Sequence, residues 1–168
     1  FKNLLNKFEK GVSNEEISAT FHLVEDLAEA ETLFTKALSY KDQQIGLKAV
    51  KEPGRHGELL GAAIYLPKEG SFLVPKQGFF TEEYLKEKLA LLGARCRIAT
   101  ADSKSEYAYL QPQYTDRFFD VILAAYLLNP LKNDYTVEDI ANEYLNLMLP
   151  ERSQAFGKLS LKDAQNER

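Results

Sequence analysis

Between Gln43 and Lys76 the chain reads QQIGLKAVKE, PGRHG, ELLGAAIYLP, KEG and SFLVPK: three apolar runs separated by two breaker-rich links. In the first run, Gln43 to Glu52, Ile45, Leu47 and Ala49 alternate with Gly46 and Lys48. This is the period of two expected for a strand with one buried face. The links, Pro53 to Gly57 and Lys68 to Gly70, are too short to hold a crossover helix. The three strands must therefore be antiparallel neighbours. Any fold for this chain has to be built around that meander.

The segments on either side set its surroundings. ATFHLVED (Ala19 to Asp26) predicts a strand, and LAEAETLFTKALS an amphipathic helix with Leu27, Ala30, Leu33, Phe34, Ala37 and Leu38 on one stripe. After Gly78, TEEYLKEKLALLG predicts a helix capped by Thr81 and ended by Gly93. ARCRIATA predicts a further inner strand, with Cys96 in the middle of it, and DSKSEYAYLQ a short helix starting at Asp102 or Ser103. DRFFDVILAAYLLNPL predicts the most apolar helix, stopped by Asn129 and Pro130. TVEDIANEYLNLML follows it, opened by Thr136 with Asp139 as the capping-box acid. FKNLLNKFEKG predicts a terminal helix, VSNEEIS a connector, and the segment after Pro150 a polar tail. The order β-α-β-β-β-α-β-α, followed by helices, predicts an α/β fold: one mixed sheet flanked by helices on both faces.

With 168 residues, one domain is expected. Lys and Arg number 21 against 25 Asp and Glu, a net charge of −4, which argues against strong unaided binding to duplex DNA. A single cysteine excludes an internal disulfide framework and fits a reducing, cytoplasmic setting. No apolar run is long enough to span a membrane, and no membrane partner is expected. The N-terminus lacks the apolar core of a signal peptide. A start at Phe1 rather than Met is read as a piece of a longer chain.

The chemistry-bearing residues are few. His22 in a strand and His56 in a turn have no Cys, Asp or second His at ligand spacing. No nucleophile elbow, phosphate loop or dinucleotide fingerprint is present. Cys96 is expected to be buried and inert. Among the acids, Asp120 reads as an N-cap. Asp102 and Glu106, four residues apart, read most simply as a solvated first helical turn that complements the helix dipole.

FFDVILAAYLLNPLKNDYTVEDIANEYL (Phe118 to Leu145) resembles the helix pair of the proofreading-type, 3′–5′ exonuclease-like domain of bacterial family A DNA polymerases, the DNA polymerase I group. FKNLLNKFE resembles the segment that joins this domain to the preceding 5′ nuclease, so residues 1–17 would be that connection and 18–168 the exonuclease-like domain. The resemblance implies a ribonuclease H-like fold. In proofreading members, two divalent metals act in removing mismatched 3′ nucleotides, held in part by Asp-x-Glu on the first strand. The matching positions here are Gly46 and Lys48, which offer no ligand and a cation. The second motif falls on Asp102 and Glu106. Tyr135 to Asp139 matches the third motif, Tyr-x-x-x-Asp, by letter only, at the start of the wrong helix. The implied reading is a degenerate domain that is not itself an enzyme. It would have no catalytic residues, metal or cofactor, with Mg²⁺ needed only by the parent polymerase. It would support the polymerase domain of the same chain in DNA replication and repair, and meet DNA through that parent. Two alternatives stay open: an active metal-dependent exonuclease with carboxylates rearranged among Asp42, Glu52, Asp102, Glu106 and Asp120, or a free-standing interaction module.

Overall fold

The computed structural model describes residues 21–53, 57–111, 115–132 and 134–149. The predicted terminal helix, the connector, His56 and the polar tail lie outside them. The elements are β1 (Phe21–Leu23), α1 (Leu27–Ser39), β2 (Gln44–Lys51), β3 (Leu59–Leu66), β4 (Gly70–Pro75), α2 (Glu82–Arg95), β5 (Arg97–Thr100), α3 (Ser103–Leu110), β6 (Phe118–Asp120), α4 (Val121–Leu128) and α5 (Val137–Leu145), with a 3-10 turn at Thr115–Arg117.

The expected meander is present. β2 pairs antiparallel with β3, and β3 with β4. The second link turns through Gly70 at φ +103°, a conformation that a side chain disfavours. β1 adds in parallel beside β4, β5 in parallel beside β2, and β6 in parallel beside β5. The sheet order is β1-β4-β3-β2-β5-β6. The mixed α/β sheet read from the sequence is thus the observed fold, with five helices around it among the described residues.

The alternation in β2 does what it predicts. Ile45, Leu47 and Ala49 are buried, while Gly46 and Lys48 face the other way. They join Leu59, Ala62, Ile64, Leu66, Val74 and Ile98 with the inner stripes of α1 and α2 in one core. Each fully buried Leu or Ile there contributes about 2 kcal/mol. Phe34 and Tyr84 meet edge-on at 6.1 Å to join α1 to α2, and the Tyr84 hydroxyl donates to Glu31 at 2.9 Å.

Four local expectations need correction. Gly93 does not end α2, which runs on to Arg95. Gly93 instead lets the end of α3 approach: a Cβ there would lie 1.9 Å from the Leu110 carbonyl oxygen. Cys96 is not mid-strand but links α2 to β5. It is buried as expected, its Sγ 3.6 Å from the Ala37 carbonyl oxygen. Among the described residues the first strand covers Phe21–Leu23 and does not reach Asp26, which is the N-cap of α1 and accepts from the Ala28 N–H at 2.8 Å. Finally, the apolar segment from Asp116 to Leu128 is not all helix. Phe118–Asp120 form edge strand β6, and the helix begins only at Val121. Among the described residues no helix is long and apolar enough to cross a membrane.

Candidate functional site

The carboxyl ends of the three parallel strands β2, β5 and β6 converge, as the register of β2 with β5 and of β5 with β6 requires. Open α/β sheets bind their ligands at such an end. β5 stops at Thr100 and its last pairing with β2 is Gly46 with Ala99, so β2 runs on beside β3 with its β5 flank unpaired. The Ala49 N–H, no longer met by a β5 carbonyl, donates instead to Glu106 Oε2 at 2.7 Å.

The same carboxylate holds Lys48. Its Nζ donates to Glu106 Oε1 at 2.6 Å and to the Ala101 carbonyl at 3.0 Å, and Ser105 Oγ lies 3.2 Å from Oε1. Glu106 is fully buried, whereas the Lys48 side chain is 43% exposed. The expected solvated first turn is therefore corrected: Glu106 points into the protein because α3 packs over the free flank of β2. Both its oxygens are satisfied, and a buried carboxylate survives only on that condition. Lys51 Nζ adds a third tie, to the Ser105 carbonyl at 3.0 Å.

Two more acids flank this pair. Asp102 is the N-cap of α3, in the left-handed region at φ +58°, and is exposed. One of its oxygens lies 3.4 Å from the Ser105 N–H. Asp120, the expected N-cap of α4, accepts from the Ile122 and Leu123 N–H groups at 2.9 and 3.1 Å. Its other oxygen accepts from the Ser103 N–H at 2.7 Å, which fastens α3 to α4. Burial pushes the Asp120 carboxyl up, but these N–H groups and the Ser103 hydroxyl outweigh it and hold it below the usual aspartate range. Thr100, paired with Asp120 across the strands, has a buried Oγ1 with no hydrogen-bond partner among the described residues.

Gly46 sits one step back along β2, on the Lys48 face, between Tyr65 and Ala99. A Cβ there would lie 3.0 Å from that of Tyr65. Asp42 and Glu52 join no carboxylate cluster at this end. Asp42 precedes β2, and Glu52 follows it with its N–H on the Glu58 carbonyl at 3.0 Å. His22 is on β1, 2.5 Å from Glu29. Tyr135 and Asp139 are engaged locally, the hydroxyl on the Asn129 carbonyl at 2.6 Å and the carboxylate in the capping box of α5. Sequence reasoning singled out Lys48 and Glu106 separately. It missed the Ala49 N–H, the Ala101 carbonyl and Ser105, whose parts follow from where β5 ends.

Divalent cations do not fit this arrangement. Among the described residues no group of three His, Cys, Asp or Glu could hold a metal ion. Both Glu106 oxygens are occupied, and the ammonium against it would repel a dication. What the end does offer is a fixed lysine with a partly exposed side chain, on elements that also carry Asp102 and Asp120.

A family model described as "DNA polymerase I, ribonuclease H-like domain" matches residues 45–163, and the chain belongs to that family. No curated protein matches it. The fold is similar to that of the Nibbler EXO domain of Aedes aegypti, with a TM-score of 0.58 at 10% identity over 86% of this chain and 77% of that one. It is also similar to RNase D of Trypanosoma brucei in complex with RNA U12 (0.64, 11%, 83% and 51%) and to RNase D of Escherichia coli, an exoribonuclease (0.55, 16%, 87% and 40%). The chain thus spans about half or less of those two RNase D chains.

These likenesses overturn the expectation that the chain is not an enzyme. Its family is that of the DNA polymerase I ribonuclease H-like domain, and its fold is shared with RNase D, an exoribonuclease in Escherichia coli, which points to an enzyme. The expectation equated altered residues at Gly46 and Lys48 with a lost site, whereas Glu106, Asp102 and Asp120 are still gathered at the carboxyl end.

Proposed function

We propose that the chain is the 3′–5′ exonuclease-type domain of a bacterial, cytoplasmic DNA polymerase I, and that it receives the 3′ end of a single strand at the carboxyl end of its sheet. One observation carries this reading: the Lys48 Nζ is pinned 2.6 Å from buried Glu106 while the lysine side chain is 43% exposed, at the end where such sheets take ligands. There it offers a positioned charge to a phosphodiester, and charge placed in advance is what stabilises a developing oxyanion. Asp102, exposed at the start of α3, is the acceptor offered to a water or a terminal hydroxyl. Glu106 holds the lysine in place.

The polymerase domain is the proposed neighbour. α4 and the turn after it support this: Leu127 and Leu128 are both 71% exposed and Leu131 is 91% exposed, an apolar surface suited to a domain interface. In the parent chain, Leu127→Lys with Leu128→Lys would lower the temperature of the shared unfolding transition.

The central test offers a 3′-labelled single strand and reads anisotropy and nucleotide release together, with and without Mg²⁺. The strand should bind, release should begin at the 3′ end, and Lys48→Glu should weaken binding. A strand that neither binds nor shortens under any of these conditions would overturn the proposal.

A further inference from the structure

The opposite, amino end of the same parallel strands holds a second cavity, of about 540 Å³, that the reading above does not use. Its charged lining comes from three connections that reach the sheet together. Lys41 and Asp42 lie between α1 and β2, Arg95 and Arg97 flank the α2–β5 link, and Asp116 and Arg117 precede β6. Four cations against two carboxylates leave an excess of two positive charges, in a chain whose net charge is −4.

The cations are arranged rather than scattered. Arg117 Nη1 donates to the Ala94 and Arg95 carbonyls at 3.4 and 3.1 Å, so its guanidinium is fixed at the carboxyl end of α2, where the helix dipole favours a cation. Arg97 opens β5 in register with Gln44, which sets it beside the start of β2. Among the described residues, Lys41, Arg95 and Arg97 form no ion pair. The positive field converges at Cys96: burial pushes its thiol up, while Arg117 and then Arg95 pull against that rise. The adjoining hollow of about 380 Å³ shares Lys41 and Asp42, but there Lys36 is neutralised by Glu69.

We propose that this amino-end cavity is a binding site for phosphate oxyanions, gripped by Arg97, Arg95 and Lys41 and separate from the carboxyl-end site. Guanidinium groups suit the task because their planar fork meets two phosphate oxygens at once. From Gln44 to Lys48 the two ends are separated by roughly 13 Å of strand. A ligand filling one cavity therefore leaves the other open. The phosphate can be free or part of a nucleic-acid strand, and the chemistry of the grip is the same.

The test is an amide-resolved NMR titration of the protein at low salt with inorganic pyrophosphate, and in a second arm with a short single-stranded oligonucleotide. Saturable shifts are expected at residues 41–43, 95–98 and 116–118, fading as salt is raised. Arg97→Glu should weaken that binding about tenfold or more, since a charge-assisted contact becomes a repulsion. Arg97→Lys should keep part of it and serves as the folded comparison, while Lys104→Glu on α3 should leave it unchanged. Shifts at these residues with pyrophosphate alone identify a free phosphate ligand; shifts there with the oligonucleotide identify strand phosphates. The proposal is overturned if neither probe shifts these residues, if shifts appear only around Lys48 and Asp102, or if Arg97→Glu binds as wild type does.

Discussion

The two ends of one set of parallel strands treat charge in opposite ways. At the carboxyl end a single ammonium is locked to a fully buried carboxylate, and the ion pair also closes an open flank of β2. At the amino end four cations line an open cavity and three of them form no ion pair among the described residues. A buried charge that meets every demand on its hydrogen bonds belongs to the fold as much as to any chemistry. Exposed charges without such partners add little to stability and remain available for a ligand.

The contrast breaks first at Glu106. Glu106→Ala would leave the Ala49 N–H and the Lys48 ammonium without their acceptor, and should cost about 3–5 kcal/mol in urea unfolding. A loss under about 1 kcal/mol would mean that the pair is not structural. Lys48→Met comes next. It strands a buried carboxylate, but one still bonded to Ala49 and Ser105, so about 2 kcal/mol is expected in the same measurement.

A third effect, at Asp120, is smaller and depends on pH. Its carboxyl is depressed in the folded state, so its contribution is present above the unfolded pKa and lost as pH falls through the folded one, that is, below about pH 4. Asp120→Asn should cost about 1 kcal/mol near neutrality and flatten the acid limb of a stability-versus-pH curve. The smallest effect belongs to the amino end: Arg97→Glu should shift stability by no more than about 0.5 kcal/mol while weakening phosphate binding about tenfold or more. If Arg97→Glu destabilised as strongly as Glu106→Ala, the comparison between the ends would collapse.

A further substitution sharpens it at the level of function. Gly46→Asp with Lys48→Glu removes the cation and adds two carboxylates beside Glu106. With the positioned ammonium gone, it should weaken binding of a 3′-labelled single strand about tenfold or more, read by anisotropy. The new Cβ at position 46 needs Tyr65, half exposed, to yield by a few tenths of an ångström.

Much of the fold was legible because its causes are local. The period of two in Ile45, Leu47 and Ala49, the short links and the caps at Thr81, Asp120 and Thr136 act within a few residues, and the structure keeps each one. β6 was not legible. Phe118 and Phe119 run into an apolar helix, and a three-residue edge strand leaves no period to read. Gly93 misled because a glycine that ends a helix and one that admits a neighbouring backbone look alike in sequence.

By itself, the sequence determined the meander, the helices and the mixed sheet, since hydrophobic period and turn chemistry are written along the chain. It also marked Lys48 and Glu106, one as a cation where the resemblance expects a ligand, the other as an acid on a first turn. Only the tertiary structure joined them. They stand 58 residues apart in sequence, and they meet because β5 ends before β2 does, leaving an N–H and an ammonium that α3 must satisfy from above. The same stacking of strand ends gathers the cations of three separate connections at the amino end, a charge pattern that no local window of the sequence contains.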